Sequence, residues 1–146
     1  MTTLAYKDGV LAADTRICDG TLMLGVFTKI RRIGPVLTAG CGNAQDVAKF
    51  NAWVSSGMEG EFSMGESECW LIAPGQPVLI YENDTFLRID APFYASGTGG
   101  EIARGAMAMG ADAVTAVRQA ILHDSATGPP IDVLYLDGRP GERLAA

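Results

Sequence analysis

The sequence predicts an α+β fold in which two mainly antiparallel sheets face each other and helices cover their outer sides. The predicted elements are grouped as strands, one helix, strands, two helices and a last strand, an order typical of antiparallel sheets rather than of a doubly wound parallel fold. Several of the predicted strands are almost entirely apolar, which indicates burial on both faces. The 146 residues suit one domain, 1–146, because neither a repeat nor an interdomain linker interrupts them.

The N-terminal part of the chain is a series of short strands separated by turn signals. Lys7-Asp8-Gly9 is a hairpin signal, Cys18-Asp19-Gly20 marks another turn, and Gly34-Pro35 breaks the next apolar run. The strands predicted from these signals are residues 2–6, 9–14, 27–33 and 36–39.

The first helix is predicted at residues 44–56. Asn43 is a suitable N-cap, and Asp46 lies in the first turn, where the helix dipole favours a negative charge. Val47, Phe50 and Val54 form one apolar stripe at helical spacing.

The second half of the chain begins with a segment, residues 58–67, that shows no helical period. Four strands and two helices are expected after it, and then a last strand. The predicted strands are residues 69–73, 77–81, 85–89, 93–96 and 131–137, and the predicted helices are 101–109 and 113–123. We expect residues 139–146 to form a loose tail.

Composition excludes several classes of function. A net charge of −6 argues against nucleic acid and anionic membranes as partners, and no apolar run approaches the length of a membrane span. Three widely spaced cysteines and a single histidine predict reduced thiols, and we expect no metal or cofactor. The N-terminal residues lack the features of a signal peptide, so a cytoplasmic protein is expected.

Thr2 is the first candidate for chemistry. Removal of Met1 is expected before a small residue, and it would leave a free α-amine beside the Thr2 hydroxyl. An α-amine has a pKa of about 7.7–8.0 and can accept a proton near neutral pH. One residue would then supply both nucleophile and base. The alternative is that Met1-Thr2-Thr3 only begins a strand.

Lys29 and Asp14 form the second candidate. Lys29 falls inside a predicted apolar strand, and a lysine buried in a sheet needs a partner or loses its charge. Asp14 ends a nearly all-apolar strand and is the expected partner. The positive charge of such a pair beside Thr2 would lower the proton affinity of the Thr2 hydroxyl oxygen. The alternative is a purely structural ion pair.

Three further segments have residue types suited to a site. Gly40-Cys41-Gly42 precedes a helix, where exposed N–H groups can stabilise an oxyanion, unless it is only a helix-entry turn. Residues 96–100 lack the full pattern of a phosphate loop. Asp124 ends a helix whose dipole disfavours an anion, and a residue that breaks a local rule is a candidate for function. The hydroxyls of Thr98 and Thr127 are expected to join Asp124 around an amine.

Six of these segments, in this order, resemble the proteasome β-subunit family of N-terminal-nucleophile (Ntn) hydrolases, which includes the bacterial HslV peptidase. The segments that carry the resemblance are Thr2–Ala5, Gly9–Arg16, Thr28–Ile30, Gly40–Asp46, Gly97–Gly100 and Asp124–Gly128. The resemblance implies a four-layer αββα sandwich, but residues 58–67 stand where the family has a second long helix. It also implies that Thr98 and Thr127 replace two family serines.

The resemblance implies a threonine-type endopeptidase with no cofactor. The catalytic set it implies is Thr2 as nucleophile, Asp14 and Lys29 as the charged pair, Gly42 as oxyanion donor, and Thr98, Asp124 and Thr127 around the α-amine. Ile17, Phe27 and Ala44 align with the specificity pocket and suggest uncharged side chains at the cleavage site.

The implied partners are a peptide or unfolded protein substrate, other copies of the chain in a ring, and an ATPase unfoldase. The alternatives are a non-peptidase Ntn amidohydrolase and a catalytically silent scaffold that forms rings.

Overall fold

The computed structural model describes residues Met1–Ala146 and contains twelve strands and three helices. The strands are β1 (Thr3–Lys7), β2 (Val10–Asp14), β3 (Arg16–Asp19), β4 (Leu22–Val26), β5 (Ile30–Ile33), β6 (Val36–Cys41), β7 (Glu68–Ile72), β8 (Val78–Glu82), β9 (Thr85–Ile89), β10 (Phe93–Gly97), β11 (Ile131–Tyr135) and β12 (Glu142–Leu144). The helices are α1 (Ala44–Ser55), α2 (Gly100–Ala108) and α3 (Ala113–His123). None of them is long and apolar enough to cross a membrane.

The strands form two five-stranded sheets and one separate hairpin. The first sheet has the order β10-β1-β2-β11-β12, and the second has the order β5-β6-β7-β8-β9. Strands β3 and β4 pair only with each other. Every strand pair is antiparallel, as the grouped order of the elements predicted.

Three apolar cores separate four layers. Leu4 and Leu11 of the first sheet meet Leu37 and Trp70 of the second in the core between the sheets. Helices α2 and α3 cover the outer side of the first sheet, and α1 covers the outer side of the second. The αββα sandwich is therefore confirmed.

The prediction that residues 58–67 form no helix is also confirmed. The ring of Phe62 stacks on that of Trp53 at a centroid distance of 4.9 Å, and the Phe62 carbonyl accepts a hydrogen bond from the Tyr81 hydroxyl. The buried Met64 donates its N–H to Asp84. Irregular chain thus completes the outer layer beside α1.

The sequence analysis missed the β3–β4 hairpin and extended the next strand too far. All five β4 residues are exposed and carry no alternation of apolar and polar side chains, so no strand signal was available. Lys29 lies just before β5, not within it, because its ammonium group turns inward to three oxygen acceptors.

The expectation of a loose C-terminal tail was wrong. Residues Glu142–Leu144 form β12, which pairs with β11. Arg143 holds this strand by donating two hydrogen bonds to the carboxylate of Asp132, at 2.6 and 3.0 Å. The last predicted strand ends at Tyr135 rather than at residue 137, and the predicted helix boundaries agree to within one residue.

Candidate active site

Thr2 lies in a cleft of about 520 Å³ at one end of the sandwich. The hairpin β3–β4, the segment before β5 and the turn between β6 and α1 form its walls. The residues that line the cleft are Met1, Thr2, Arg16, Ile17, Cys18, Asp19, Leu24, Phe27, Lys29, Gly40, Gly42, Asn43, Ala44, Gln45 and Val47.

The Thr2 hydroxyl has no hydrogen-bond partner in the protein. Thr2 is 4% exposed, and its side chain makes none of the hydrogen bonds in the structure. No buried side-chain oxygen or nitrogen lacks a partner, so the Thr2 hydroxyl must retain contact with the solvent of the cleft. A hydroxyl in this state can approach a bound carbonyl without first breaking a protein hydrogen bond.

Close packing against β10 fixes the backbone of Thr2. Thr3 pairs with Gly97 in the sheet register, and Gly97 has a φ of +95°. A Cβ atom on Gly97 would lie 1.8 Å from the Thr2 carbonyl oxygen. This approach is possible only for glycine, so Gly97 sets the position of the candidate nucleophile.

The carboxylate of Asp14 is fully buried and accepts four hydrogen bonds. Its Oδ1 accepts from Thr3 N at 2.9 Å and from Lys29 Nζ at 2.8 Å. Its Oδ2 accepts from Arg16 N at 3.2 Å and from Gly128 N at 3.1 Å. Asp14 therefore joins β1, the Lys29 segment and the turn before β11 at one point.

The ammonium group of Lys29 contacts backbone carbonyl groups close to Thr2. Besides Asp14, its Nζ donates to the carbonyl of Met1 at 3.1 Å and to that of Arg16 at 2.6 Å. Burial lowers the pKa of Lys29, although the neighbouring Asp14 carboxylate opposes that shift. A lysine with a lowered pKa can stabilise a negative charge and can also exchange a proton more readily than a free lysine.

Gly42 is one of the residues that line the cleft. Its φ is +118°, and its N–H donates to no protein acceptor in the turns and caps. Helix α1 begins two residues later, at Ala44, behind the N-cap Asn43. A free N–H at a helix entry is suited to a developing negative charge.

Thr98, Asp124 and Thr127 form a second polar cluster. Asp124 Oδ2 accepts hydrogen bonds from Thr98 Oγ1 at 2.7 Å and from Thr127 Oγ1 at 2.6 Å. Partial burial disfavours the charged carboxylate, but hydrogen bonds from Thr127, Thr98 and the Ala126 N–H, together with the nearby terminal ammonium group, lower the pKa of Asp124. The ammonium group is that of Met1, and its effect is the smallest of these contributions.

The seven residues singled out in the sequence fall into two connected groups. Thr2, Lys29 and Gly42 line the cleft. Asp14 lies behind it, and the Asp124 cluster is linked to the first strand through a 2.7 Å hydrogen bond between Thr127 Oγ1 and Thr3 Oγ1. The structure brings these groups together around the N-terminal strand, and their roles in catalysis stay a prediction.

Sequence reasoning missed three residues that support the cleft. Thr3 contributes the hydroxyl that connects β1 to the second cluster. The side chain of Arg16 packs on Gly128, since a Cβ atom added to Gly128 would lie 2.3 Å from Arg16 Nε. Arg16 also donates a hydrogen bond to the Ser125 carbonyl at 2.8 Å. Ser67 contacts the Gly42 turn. No local pattern marked Arg16 or Ser67, because the contacts that give them their roles are long-range.

Comparison with known proteins supports the fold. No protein-family model and no curated protein matches the chain. Among solved structures, a Gly-1 mutant of Anbu from Hyphomicrobium sp. strain MC1 is similar, with a TM-score of 0.77 and 12% sequence identity. The similarity covers 100% of this chain and 88% of that chain.

This result corrects the family named from the sequence. The assignment to the proteasome β-subunit and HslV family was wrong, because no family model matches and the similar structure is Anbu, a proteasome-related protein. At 12% identity the similarity shows the Ntn-type sandwich fold alone.

Proposed function

We propose that this chain is a threonine-type hydrolase of peptide bonds, with Thr2 as its N-terminal nucleophile once the Met1–Thr2 bond has been cut. The observation that carries the proposal is the arrangement at Thr2. Its hydroxyl faces a cleft without a protein partner, while the buried Lys29 ammonium group contacts the carbonyl of the preceding residue.

The reaction begins with attack of Thr2 Oγ1 on a substrate carbonyl carbon. The α-amine of Thr2 accepts the hydroxyl proton, since an α-amine with the reference pKa of about 7.7–8.0 is partly neutral at pH 7. The amine then gives this proton to the leaving amine of the substrate. Water hydrolyses the resulting acyl ester and regenerates Thr2.

Lys29 and Asp14 support this step through charge. The ammonium group lowers the proton affinity of a nearby hydroxyl and disfavours protonation of the α-amine. Asp14, whose other contacts are backbone N–H groups, keeps the lysine in place. Cutting the Met1–Thr2 bond would also remove one carbonyl acceptor of Lys29 Nζ and free one of its N–H groups for Thr2.

The Gly42 N–H is the proposed donor to the tetrahedral oxyanion. Gly42 lines the same cleft as Thr2, and its N–H has no backbone acceptor. Removal of one such donor typically lowers kcat by about 10²–10³.

The shape of the cleft favours a peptide over a small amide. Its volume of about 520 Å³ and its open hairpin wall exceed what a small acyl group fills. Ile17, Leu24 and Phe27 contribute apolar side chains to the cleft, which the charged Arg16 and Asp19 also line. The apolar part supports uncharged side chains at the cleavage site.

Assembly and compartment belong to the same proposal. Leu22, Met23 and Leu24 are about 60% exposed on the β3–β4 hairpin, and exposed apolar side chains of this kind support self-association into a homo-oligomer. Three free cysteines suit the reducing cytoplasm. An ATPase unfoldase partner stays a prediction from the sequence.

The test combines intact mass with peptide hydrolysis. We expect the purified protein to lack Met1 and to hydrolyse fluorogenic peptides faster than small amides. Thr2→Ala should abolish turnover and Thr2→Ser should retain part of it, while the exposed Thr85→Ala serves as the matched control. A retained Met1 together with full peptidase activity would contradict the proposal.

A further inference from the structure

Ser67 occupies a buried position directly behind the Gly42 turn. It ends the helix-free segment 58–67, stands just before β7, and is 5% exposed. Its hydroxyl makes two hydrogen bonds. It accepts from the backbone N–H of Asn43 at 2.9 Å and donates to Asp46 Oδ2 at 2.8 Å.

The two hydrogen bonds fix each other's direction. A serine hydroxyl has one proton, and Asp46 takes it. The Oγ lone pair is then the group that faces the Asn43 N–H. Asp46 is itself half-buried in the first turn of α1, and rotation of the serine hydroxyl would break its hydrogen bond to Asp46.

Gly42 is in direct contact with this pair. A Cβ on Gly42 would lie 2.6 Å from Ser67 Oγ and 3.0 Å from Ser67 Cα. The peptide unit that joins Gly42 to Asn43 is planar, so anchoring the Asn43 N–H fixes ψ of Gly42. The Gly42 N–H belongs to the preceding peptide unit, whose orientation depends on φ of Gly42, and the packing of Ser67 against Gly42 restricts rotation about that bond.

Capping of α1 does not account for Ser67. Asn43 already caps the helix, because its Oδ1 accepts from the N–H groups of Gln45 and Asp46. Ser67 instead binds the N–H of Asn43 itself, one residue after Gly42. Its hydrogen bond therefore acts on the turn, ahead of the helix.

We propose that Ser67 and Asp46 are positioning residues that aim the Gly42 N–H at the oxyanion of the hydrolytic reaction. This inference rests on the proposed function. The helix-free segment 58–67 thus contributes to catalysis through Ser67, and its own anchors are the buried Met64 and the hydrogen bond from Tyr81 to Phe62.

Kinetics of matched variants test the proposal. Ser67→Ala should lower kcat about tenfold, less than the 10²–10³ for loss of a whole donor, with KM changed less than twofold. Affinity for a peptide aldehyde, whose hemiacetal oxygen uses the same donor, should fall by the same factor. Ser63→Ala is the control in the same segment, since Ser63 is exposed and bonds only to Asp84.

Asp46 provides the second arm of the test. Asp46→Asn keeps an acceptor for the Ser67 hydroxyl and should retain most of kcat, whereas Asp46→Ala should reproduce the loss seen with Ser67→Ala. The double alanine variant should be no slower than either single one. Asp46→Ala also gives the kinetic result if Ser67→Ala fails to fold.

Several outcomes would overturn the role of Ser67. They are a Ser67→Ala enzyme with kcat within twofold of wild type, a loss of kcat without a matching loss of aldehyde affinity, and additive effects of the two alanines. Faster amide hydrogen exchange at Asn43 is expected in Ser67→Ala whether or not the protein is active. Unchanged exchange would contradict the role of the hydrogen bond from the Asn43 N–H to Ser67. An inactive wild type would overturn the proposed function, and with it the catalytic part of this inference.

Discussion

Replacing Asp14 by asparagine should destabilise the protein far more than its small change in shape suggests. Both carboxylate oxygens face donors, with Thr3 N and Lys29 Nζ on one side and Arg16 N and Gly128 N on the other. Whichever way the asparagine amide turns, its NH₂ group meets two donors and no acceptor. Asp14→Asn therefore loses two hydrogen bonds and leaves a buried ammonium group without a counterion.

The magnitude follows from burial of the pair. Both side chains are almost fully buried, at 4% and 0% exposed, and removing one partner of such a pair costs about 3–5 kcal/mol. Lys29→Met should cost less, about 1.5–3 kcal/mol, because the carboxylate keeps three backbone N–H donors. The two changes together should cost less than their sum by at least about 1 kcal/mol.

Urea denaturation at pH 7 measures these free energies of unfolding, with the fluorescence of Trp53 and Trp70 as the signal. Protein concentration must be kept constant, since self-association would add to apparent stability. Asp90→Asn is the matched control at an exposed site and should change stability by no more than about 0.5 kcal/mol. A loss below about 1 kcal/mol for Asp14→Asn, or strictly additive effects, would refute the account of the buried pair.

Two further predictions concern the second cluster and the glycines near Thr2. Because hydrogen bonds lower the pKa of Asp124 below its unfolded value despite its partial burial, this group stabilises the fold above roughly pH 4 and loses that contribution as pH falls through the folded pKa. Thr127→Val should raise the pKa, as an NMR titration of the Asp124 carboxyl would show, and an unchanged pKa would contradict the role of that hydroxyl. Gly97→Ala should cost about 3 kcal/mol or more, since its Cβ would collide with the Thr2 carbonyl at positive φ. Gly105→Ala, with open space around it in α2, should stabilise by about 0.5–1 kcal/mol, and equal effects at the two glycines would contradict the packing described at Thr2.

Most of the layered fold was predictable because its signals are local. The apolar runs that form β1, β2 and β7 are bounded by turn residues. The N-cap and the apolar stripe of α1 lie within one short segment of the sequence. The hairpin β3–β4 was not predictable in this way. Its strands pair only with each other and expose most of their side chains, so no burial pattern marks them.

The candidate site was predictable where one residue conflicts with its surroundings. Lys29 in an apolar segment required a buried partner, and Asp14 at the end of an apolar strand was the available one. Asp124 conflicted with the dipole of α3. Ser67 and Arg16 conflict with nothing locally, and their contacts join residues 24 and 109 positions apart in the chain.

The family assigned from the sequence went further than the residues supported. Short segments in a shared order fit the sandwich fold, and the similarity to Anbu supports that fold at 12% identity. They did not establish the family, because glycine turns and strand ends of this kind depend on the fold rather than on one family.

Modification by a peptide epoxyketone tests the central claim most directly, because a stable ring forms only when one residue offers both a hydroxyl and a free α-amine. We expect a single adduct that peptide mapping places on Thr2, with loss of peptidase activity in proportion to the labelled fraction. An active protein that forms no adduct, or one labelled at another residue, would contradict the assignment of Thr2 as nucleophile and base.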